Sequence, residues 1–227
     1  DIPLSLAKGA RMAGALIYED TKVTGIEVDK GVIKGIETSQ GYISCGVVIA
    51  CCGQWTRDFA RCVGVNVPLV SVEHQYMVTE PIAGVSPDMP TLRDPDRLTY
   101  YKEEVGGLVM GGYEPNPIMW AKNGIPKGFH YQLLERNFDH FEPIMEQALG
   151  RVPALQTAGV KMLTNGPESF TPDGNFILGE APELKNFYVR AGFNAYGIAA
   201  GGGAGMALAE WVANAGSPYD LWVVDLR

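Results

Sequence analysis

Residues 191–211 read AGFNAYGIAAGGGAGMALAEW, a predicted strand end followed by glycines that run into apolar, helix-favouring sequence. Four glycines fall within residues 201–205, and only Ala204 interrupts them. A dinucleotide fingerprint requires G-x-G-x-x-G directly after a strand, with an acidic residue about 20 positions further on. Here the glycines lie within the first predicted helical turns, and no second strand ending in Asp or Glu follows. The segment therefore does not predict a stand-alone nucleotide site.

Two explanations for these glycines remain open. Glycine has no Cβ, so the backbone at a strand-to-helix junction can approach a flat, partly anionic group closely. The N–H groups and the positive end of the helix dipole would then stabilise negative charge, as on the pyrimidine edge of a reduced flavin. The alternative is close helix packing through small residues.

The composition is that of a folded, acidic protein. Hydrophobic residues make up 46% and charged residues 19% of the 227 residues, and the formal net charge is -8. Basic residues are scattered singly, so we expect no nucleic-acid partner, because no basic stripe offers counterion release. No apolar run reaches the roughly 20 residues that a membrane span needs, so we expect no membrane partner. The opening DIPLSLAKGARMAGA has no signal-peptide pattern and resembles the middle of a longer protein, which predicts a fragment.

The cysteines predict no metal site. Their spacing lacks the paired C-x-x-C pattern of structural zinc, and adjacent thiols would not chelate comfortably. Buried thiols that pack as small hydrophobic groups, in a reducing compartment, are the simpler expectation. The four residues are Cys45, Cys51, Cys52 and Cys62.

Hydrophobic periodicity predicts a mixed α/β (α+β) protein. An α/β unit of residues 1–65 is interrupted by an antiparallel, strand-rich insertion of residues 66–154 and resumes over residues 155–227. The apolar run GVVIACCG predicts a strand buried on both faces. The predicted elements are a helix in residues 3–20, strands in 23–28, 32–36 and 42–49, antiparallel strands in 67–113 with a turn at EVGG, and an amphipathic helix in 131–149.

Several segments resemble one flavoenzyme family. The text from 165 to 227, which begins NGPESFTPDGNFILGEAPELKNFYVRAGFN, resembles the FAD-binding carboxyl-side portion of the dimethylglycine and sarcosine dehydrogenase family. SLAKGARMAGALI, VVIACCGQWTRDFA, VEHQYMVTEPI and LTYYKEE resemble further segments of that family, in the same order. The resemblance covers essentially the whole chain, and GPESFTPDGNFILGEAPE is its specific part. It implies a Rossmann-like FAD-binding domain of the D-amino-acid-oxidase type, incomplete at its N-terminus and interrupted by an antiparallel-sheet substrate domain.

The resemblance implies residues that contact FAD. VVIACCGQW resembles the Ala-Ala-Gly-x-Trp turn over the phosphates and adenosine, although Cys51 and Cys52 depart from its small residues. FTPDG resembles the loop beside the flavin ring, and the residues after Ala191 would line the pyrimidine edge. The implied FAD contacts are Val23, Ala50, Gly53, Trp55, Pro172, Asp173, Gly192, Phe193, Asn194, Tyr196, Gly197 and Ile198.

The resemblance also implies substrate groups, His74 and Tyr100. Strand alternation places Tyr100 and Lys102 on one face and Tyr101 on the other, so only one of the two tyrosines can point inward. We favour Tyr100. The implied reaction is oxidative N-demethylation of dimethylglycine or sarcosine, with hydride transfer to flavin. His74 or Tyr100 would promote loss of the amine proton or hold the amine.

Some implied features lie outside the chain, and some alternatives stay open. FAD would be completed by further polypeptide or a companion chain, with covalent attachment through a residue outside this sequence and tetrahydrofolate in a missing C-terminal region. Electron-transfer flavoprotein or oxygen would accept the electrons, in the cytoplasm or, in a eukaryote, the mitochondrial matrix. The alternatives are a glycine- or proline-type oxidase of the same superfamily and a non-catalytic fragment that serves assembly.

Overall fold

The computed structural model describes residues 2–226, so the expected domain ends Asp1 and Arg227 lie outside the described residues. Its helices are α1 (Ile2–Met12), α2 (Thr56–Arg61), α3 (Phe138–Arg151) and α4 (Gly197–Asn214), with 3-10 turns at Gly53–Trp55, Pro153–Gln156 and Trp222–Val224. Its strands are β1 (Val23–Asp29), β2 (Val32–Thr38), β3 (Gly41–Ser44), β4 (Val48–Ala50), β5 (Val70–Thr79), β6 (Leu92–Asp94), β7 (Thr99–Glu104), β8 (Gly107–Gly112), β9 (Met119–Trp120), β10 (Val160–Phe170), β11 (Ile177–Glu180) and β12 (Phe187–Ala191). The predicted mixed α/β fold class is confirmed.

The largest sheet is antiparallel and has the strand order β10-β5-β8-β7-β6, with β9 beside β5. The predicted EVGG turn is confirmed, because Val105 and Gly106 both have positive φ, 51° and 79°, as a two-residue hairpin turn requires. β10 pairs with β5 from Val160 to Phe170. The large sheet therefore includes β10, which follows the expected domain boundary at residue 155.

Helix α3 covers one face of the large sheet. Phe141 and Ile144 of α3 pack with Met77, Tyr101 and Met110 from the strands, and all five are buried. Since successive strand residues point to opposite faces, Tyr100 lies on the face that α3 leaves free. The predicted placement of Tyr100 and Tyr101 on opposite faces is thus confirmed, and the substrate role of Tyr100 stays a prediction.

The helix predicted for residues 131–149 begins later, at Phe138. Asn137 caps it, because its side chain accepts a hydrogen bond from the His140 N–H. The side-chain amide of Gln75 donates to the Asn137 carbonyl and accepts from the Asn137 N–H. Leu134 instead forms a bridge to Asn165 of β10. The apolar spacing before residue 138 thus reflects packing beside the sheet, and the prediction was wrong there.

A small sheet joins the early and late parts of the chain. β4 runs parallel to β12, which pairs antiparallel with β11, whereas β1, β2 and β3 form a separate antiparallel sheet. The strand predicted over residues 42–49 is therefore two strands in two sheets, divided around Gly46. Val48 and Ala50 are buried but Ile49 is 43% exposed, so burial on both faces was also wrong.

The cysteines differ from the expected buried thiols. Cys45 is half-buried, whereas Cys51, Cys52 and Cys62 are exposed. Cys51 and Cys52 follow β4 and Cys62 follows α2, and Cys52 and Cys62 line an open cleft. Within residues 2–226 no cluster of His, Cys, Asp or Glu could hold a metal ion. In the same range no helix combines the length and the apolar character needed to cross a bilayer.

Candidate active site

The free face of the large sheet brings the two predicted substrate residues together. His74 and Tyr76 lie on β5, and Tyr76 pairs across Gly111 of β8 with Tyr100 of β7. A Cβ at Gly111 would collide with the phenol of Tyr100, so the ring lies directly over this glycine. The absence of a side chain at Gly111 therefore fixes where Tyr100 can lie.

A cavity of about 230 Å³ opens at this place. Its lining comprises His74, Arg93, Tyr100, Tyr113 and Ala195. The first four come from the large sheet and the segment after β8, and Ala195 comes from the junction before α4. The cavity thus lies where the sheet face meets the glycine-rich segment.

Glu114 orients His74. Its Oε2 lies 3.0 Å from Nδ1 of His74, and its Oε1 accepts a hydrogen bond from the backbone N–H of Gln75. The Glu114 side chain is only 5% exposed, so its carboxylate is held away from water. A carboxylate accepts hydrogen bonds, so in the neutral imidazole the Glu114 contact favours the tautomer with the proton on Nδ1 and an acceptor at Nε2.

Tyr100 is a neutral hydrogen-bond donor at neutral pH. Burial, followed by the influence of Tyr113 and Glu114, raises the pKa of Tyr100 to about 12. A phenol with this pKa cannot act as a base near pH 7. Burial also raises the pKa of the Glu168 carboxyl, which lies close enough to influence both Tyr100 and Tyr113.

Arg93 supplies a positive charge that the sequence did not reveal. Its guanidinium lies 5.3 Å from the ring centroid of Tyr113 and 5.4 Å from that of Tyr196, and it donates a hydrogen bond to the Tyr196 hydroxyl. Within residues 2–226 no carboxylate forms an ion pair with Arg93. A planar cation held between two rings can bind a carboxylate.

Arg93, Tyr113 and Glu114 were missed because no motif contains them. Arg93 comes to Tyr100 only through the β6–β7 register, and Glu114 comes to His74 from a segment 40 residues away.

The junction before α4 has an unusual backbone. Gly192, Asn194 and Ala195 all have positive φ, at 67°, 50° and 69°. The Asn194 side chain is buried and accepts a hydrogen bond from the Thr171 N–H at 2.9 Å, so it anchors the junction to the end of β10. Phe193 stacks on Phe176, with ring centroids 4.9 Å apart.

The glycine cluster lies where the sequence predicted, in the first turns of α4, which begins at Gly197. A Cβ at Gly202, Gly203 or Gly205 would meet no described atom within 4 Å. Close packing within residues 2–226 therefore does not explain these three glycines. The helix start has no capping side chain and no acidic residue in its first turn, so its N–H groups can face an anionic group. Ile198 is 81% exposed beside them.

The other predicted cofactor residues occupy two further places. Val23 and Trp55 line an open cleft of about 890 Å³ with Val48, whereas Ala50 is buried and Gly53 begins a 3-10 turn with a φ of 55°. This cleft has the size and apolar character that a flat ring needs.

Pro172 and Asp173 lie in a separate recess of about 250 Å³ beside the segment around Val224. The Asn175 N–H donates to Asp173 and lowers the pKa of its carboxyl. The structure therefore does not bring these two residues into the cavity of His74 and Tyr100. The open α4 start and the Trp55 cleft fit two parts of an extended cofactor.

The fold and these recesses define an α/β protein with a small cavity between the free sheet face and the junction before α4. The family model described as FAD dependent oxidoreductase matches residues 4–211, and the chain belongs to this family.

Three curated relatives show which kinds of protein the chain resembles. Human mitochondrial sarcosine dehydrogenase is 40% identical over 98% of the chain and 24% of its own length. The 4-methylaminobutanoate oxidase (formaldehyde-forming) of Paenarthrobacter nicotinovorans is 40% identical over 99% of the chain and 27% of its own length. Human mitochondrial dimethylglycine dehydrogenase is 33% identical over 99% of the chain and 27% of its own length. The chain therefore spans about a quarter of the length of each of these three relatives.

Solved structures support the fold. The L-proline dehydrogenase of P. horikoshii superimposes with a TM-score of 0.81 over 98% of the chain and 57% of that protein, at 23% sequence identity. At this identity the likeness shows the fold alone.

Proposed function

We propose that the chain forms the substrate cavity and part of the FAD site of an enzyme that oxidatively N-demethylates sarcosine or dimethylglycine. The observation that carries the proposal is the convergence of His74, Tyr100 and Arg93 on one cavity. The names of the sarcosine and dimethylglycine dehydrogenases among the relatives support this substrate class.

Arg93 would bind the substrate carboxylate. Its guanidinium has no carboxylate partner among the described residues, and the rings of Tyr113 and Tyr196 hold its plane in place. Charge-assisted hydrogen bonds to a carboxylate are strong and directional. The carboxylate of a small amino acid bound here leaves its amine within the same cavity as His74 and Tyr100.

His74 would accept the amine proton. A substrate ammonium has no lone pair to support cleavage of a C–H bond, so its proton must leave first. Nε2 of His74 is the available acceptor, and the Glu114 carboxylate stabilises the imidazolium that forms. Tyr100 keeps its own proton and donates a hydrogen bond that positions the substrate.

When bound, FAD supplies the acceptor for the hydride of the N-methyl carbon. Loss of that hydride leaves a substrate iminium, and water converts it to formaldehyde and the demethylated amine. The N–H groups at the start of α4 would stabilise negative charge on the flavin. The residues proposed to hold FAD are Val23, Ala50, Gly53, Trp55, Pro172, Asp173, Gly192, Phe193, Asn194, Tyr196, Gly197 and Ile198.

Further polypeptide or a companion chain would complete the FAD site, and electron-transfer flavoprotein or oxygen would take the electrons. Covalent attachment of FAD and a tetrahydrofolate site remain proposals for regions outside this chain. The names of the mitochondrial relatives favour a matrix location in a eukaryote.

A longer substrate is the second candidate. The 4-methylaminobutanoate oxidase is as similar to the chain as sarcosine dehydrogenase is, and both share N-methylated amino acid substrates by name. The N-methyl group is common to both candidates, and only the position of the carboxylate differs.

Turnover assays on the full-length protein that contains this chain test the proposal. Sarcosine and dimethylglycine should each give one formaldehyde per two electrons passed to a dye acceptor, whereas glycine and proline should not react. Oxidation of glycine or proline without formaldehyde would replace the proposal by the alternative oxidase. A protein that holds flavin but oxidises none of the four would overturn it.

A further inference from the structure

The sheet face that carries Tyr100 continues beyond the cavity into a groove of about 700 Å³. Met162, Val78, Val109 and Lys102 form a cross-strand row, one row beyond that of Tyr76, Gly111 and Tyr100. Rows on one face are two residues apart, which is about 7 Å along a strand. Tyr100 lines both spaces, so the groove begins where the cavity ends. We name it the distal groove.

The distal groove is positively charged. Its lining contains three cations, Lys102, Arg136 and Lys161, and one carboxylate, Glu104. Lys102 pairs with Glu104 at 3.0 Å, but Arg136 and Lys161 form no ion pair within residues 2–226. The whole chain has a formal net charge of -8. This local reversal of charge is complementary to an anionic ligand.

The floor of the distal groove suits a methylene chain. Val78, Val109 and Met162 supply apolar surface in the row after that of Tyr100, beside Lys102. Thr164 lies on the same face, opposite Tyr76, and its buried hydroxyl has no hydrogen-bond partner among the described residues. An apolar floor with cations among its lining residues fits a flexible chain that carries a carboxylate.

We propose that the distal groove binds the carboxylate of N-methylated amino acids in which several methylenes separate the amine from the carboxylate. This inference rests on the proposed N-demethylation, since the amine stays with His74 and Tyr100. For these substrates Arg136 and Lys161 replace Arg93 as carboxylate partners. The length of the groove, one strand row beyond Tyr100, selects for chain length.

The test measures KM in the full-length flavoprotein for a series of N-methylamino acids with one to four carbons between nitrogen and carboxylate. The readout is the ratio of KM for the longest member to KM for sarcosine. The double variant Arg136→Gln/Lys161→Gln should raise this ratio about tenfold or more, because it removes charge-assisted contacts to the distal carboxylate. The control Lys185→Gln, on the loop between β11 and β12, should leave the ratio unchanged.

A second measurement separates charge from folding. The primary amide of the longest member has no negative charge, so wild type and double variant should give the same KM for it. An unchanged ratio in the double variant, or an equal loss for acid and amide, overturns the distal groove and leaves the proposed function intact. Oxidation of sarcosine with no oxidation of longer members also overturns the distal groove and leaves the proposed function intact. If no member of the series is oxidised, both proposals are overturned.

Discussion

The free face of the large sheet and the α4 end of the molecule present two kinds of site. On the sheet face the groups contact one another: Glu114 binds His74, and Arg93 lies between Tyr113 and Tyr196. The predicted cofactor residues instead fall into separate places, namely the start of α4, the Trp55 cleft and the Pro172 recess. Much of their surface is open, as at Trp55, which is 41% exposed.

This difference shows which chemistry the chain supplies by itself. Side chains that hold one another are preorganised before a substrate arrives, so a substrate cavity can be described from this chain. Separate open recesses instead fit an extended group that contacts each of them. Substitutions should therefore affect catalysis on the sheet face and flavin retention at the α4 end.

The largest expected effect is on His74. His74→Asn should lower kcat for sarcosine by about 100- to 10,000-fold, the usual contribution of a positioned proton acceptor. Glu114→Gln should show a smaller loss, because it keeps the hydrogen bond but removes the charge that stabilises the imidazolium. Steady-state assays of the full-length protein measure both. Equal activity of His74→Asn and wild type would exclude this cavity as the reaction site.

Arg93→Gln should raise KM for sarcosine by about 10- to 100-fold, since a charged hydrogen-bond partner contributes about 1.5–3 kcal/mol. The fall in kcat should be smaller, because the group binds the carboxylate and not the reacting carbon. Arg61→Gln, on exposed α2, is the matched control. A kcat loss with unchanged KM would contradict the assignment.

Gly111→Ala should displace the Tyr100 ring, because the new Cβ would occupy its place. Exposure of the phenol to water should lower its pKa from about 12 toward the ordinary value of about 10. Absorbance of tyrosinate near pH 11, taken as a difference from wild type, follows this change without an activity assay. Tyr100→Phe identifies the signal, and Gly150→Ala in α3, which meets only the Arg97 side chain, is the control. The same alkaline absorbance in Gly111→Ala and wild type would show that the glycine does not position Tyr100.

The smallest effect is expected at Gly203, and it has opposite signs for stability and flavin retention. Gly203→Ala should raise the free energy of unfolding by about 0.5–1 kcal/mol, because alanine is the better helix former and meets no described atom within 4 Å. If the open glycines receive FAD, the same variant should lose flavin during purification. Thermal denaturation of the apoprotein and the flavin-to-protein absorbance ratio give the two results. Full flavin content in Gly203→Ala would show that the glycine cluster does not contact FAD.

The sequence predicted features that depend on neighbouring residues. The start of α4, the Val105–Gly106 turn and the orientation of Tyr100 follow from local backbone preference and strand alternation. Each needs only a few consecutive residues, so a single sequence contains enough information.

Long-range pairing could not be predicted in the same way. An apolar run such as residues 42–49 does not reveal that its two halves join different sheets. Arg93 reaches the cavity through strand register and Glu114 reaches His74 from a loop, and neither belongs to a recognisable motif. The exposed cysteines likewise depend on which surfaces stay open.

The visible absorption spectrum of the full-length protein, recorded anaerobically before and after addition of sarcosine, tests the central claim most directly. The account predicts that the flavin of the wild type is bleached, and that His74→Asn keeps its oxidised spectrum over the same interval. An oxidised spectrum that persists in the wild type with both sarcosine and dimethylglycine would contradict the proposed chemistry. Equally fast bleaching of the variant would place the reaction away from His74.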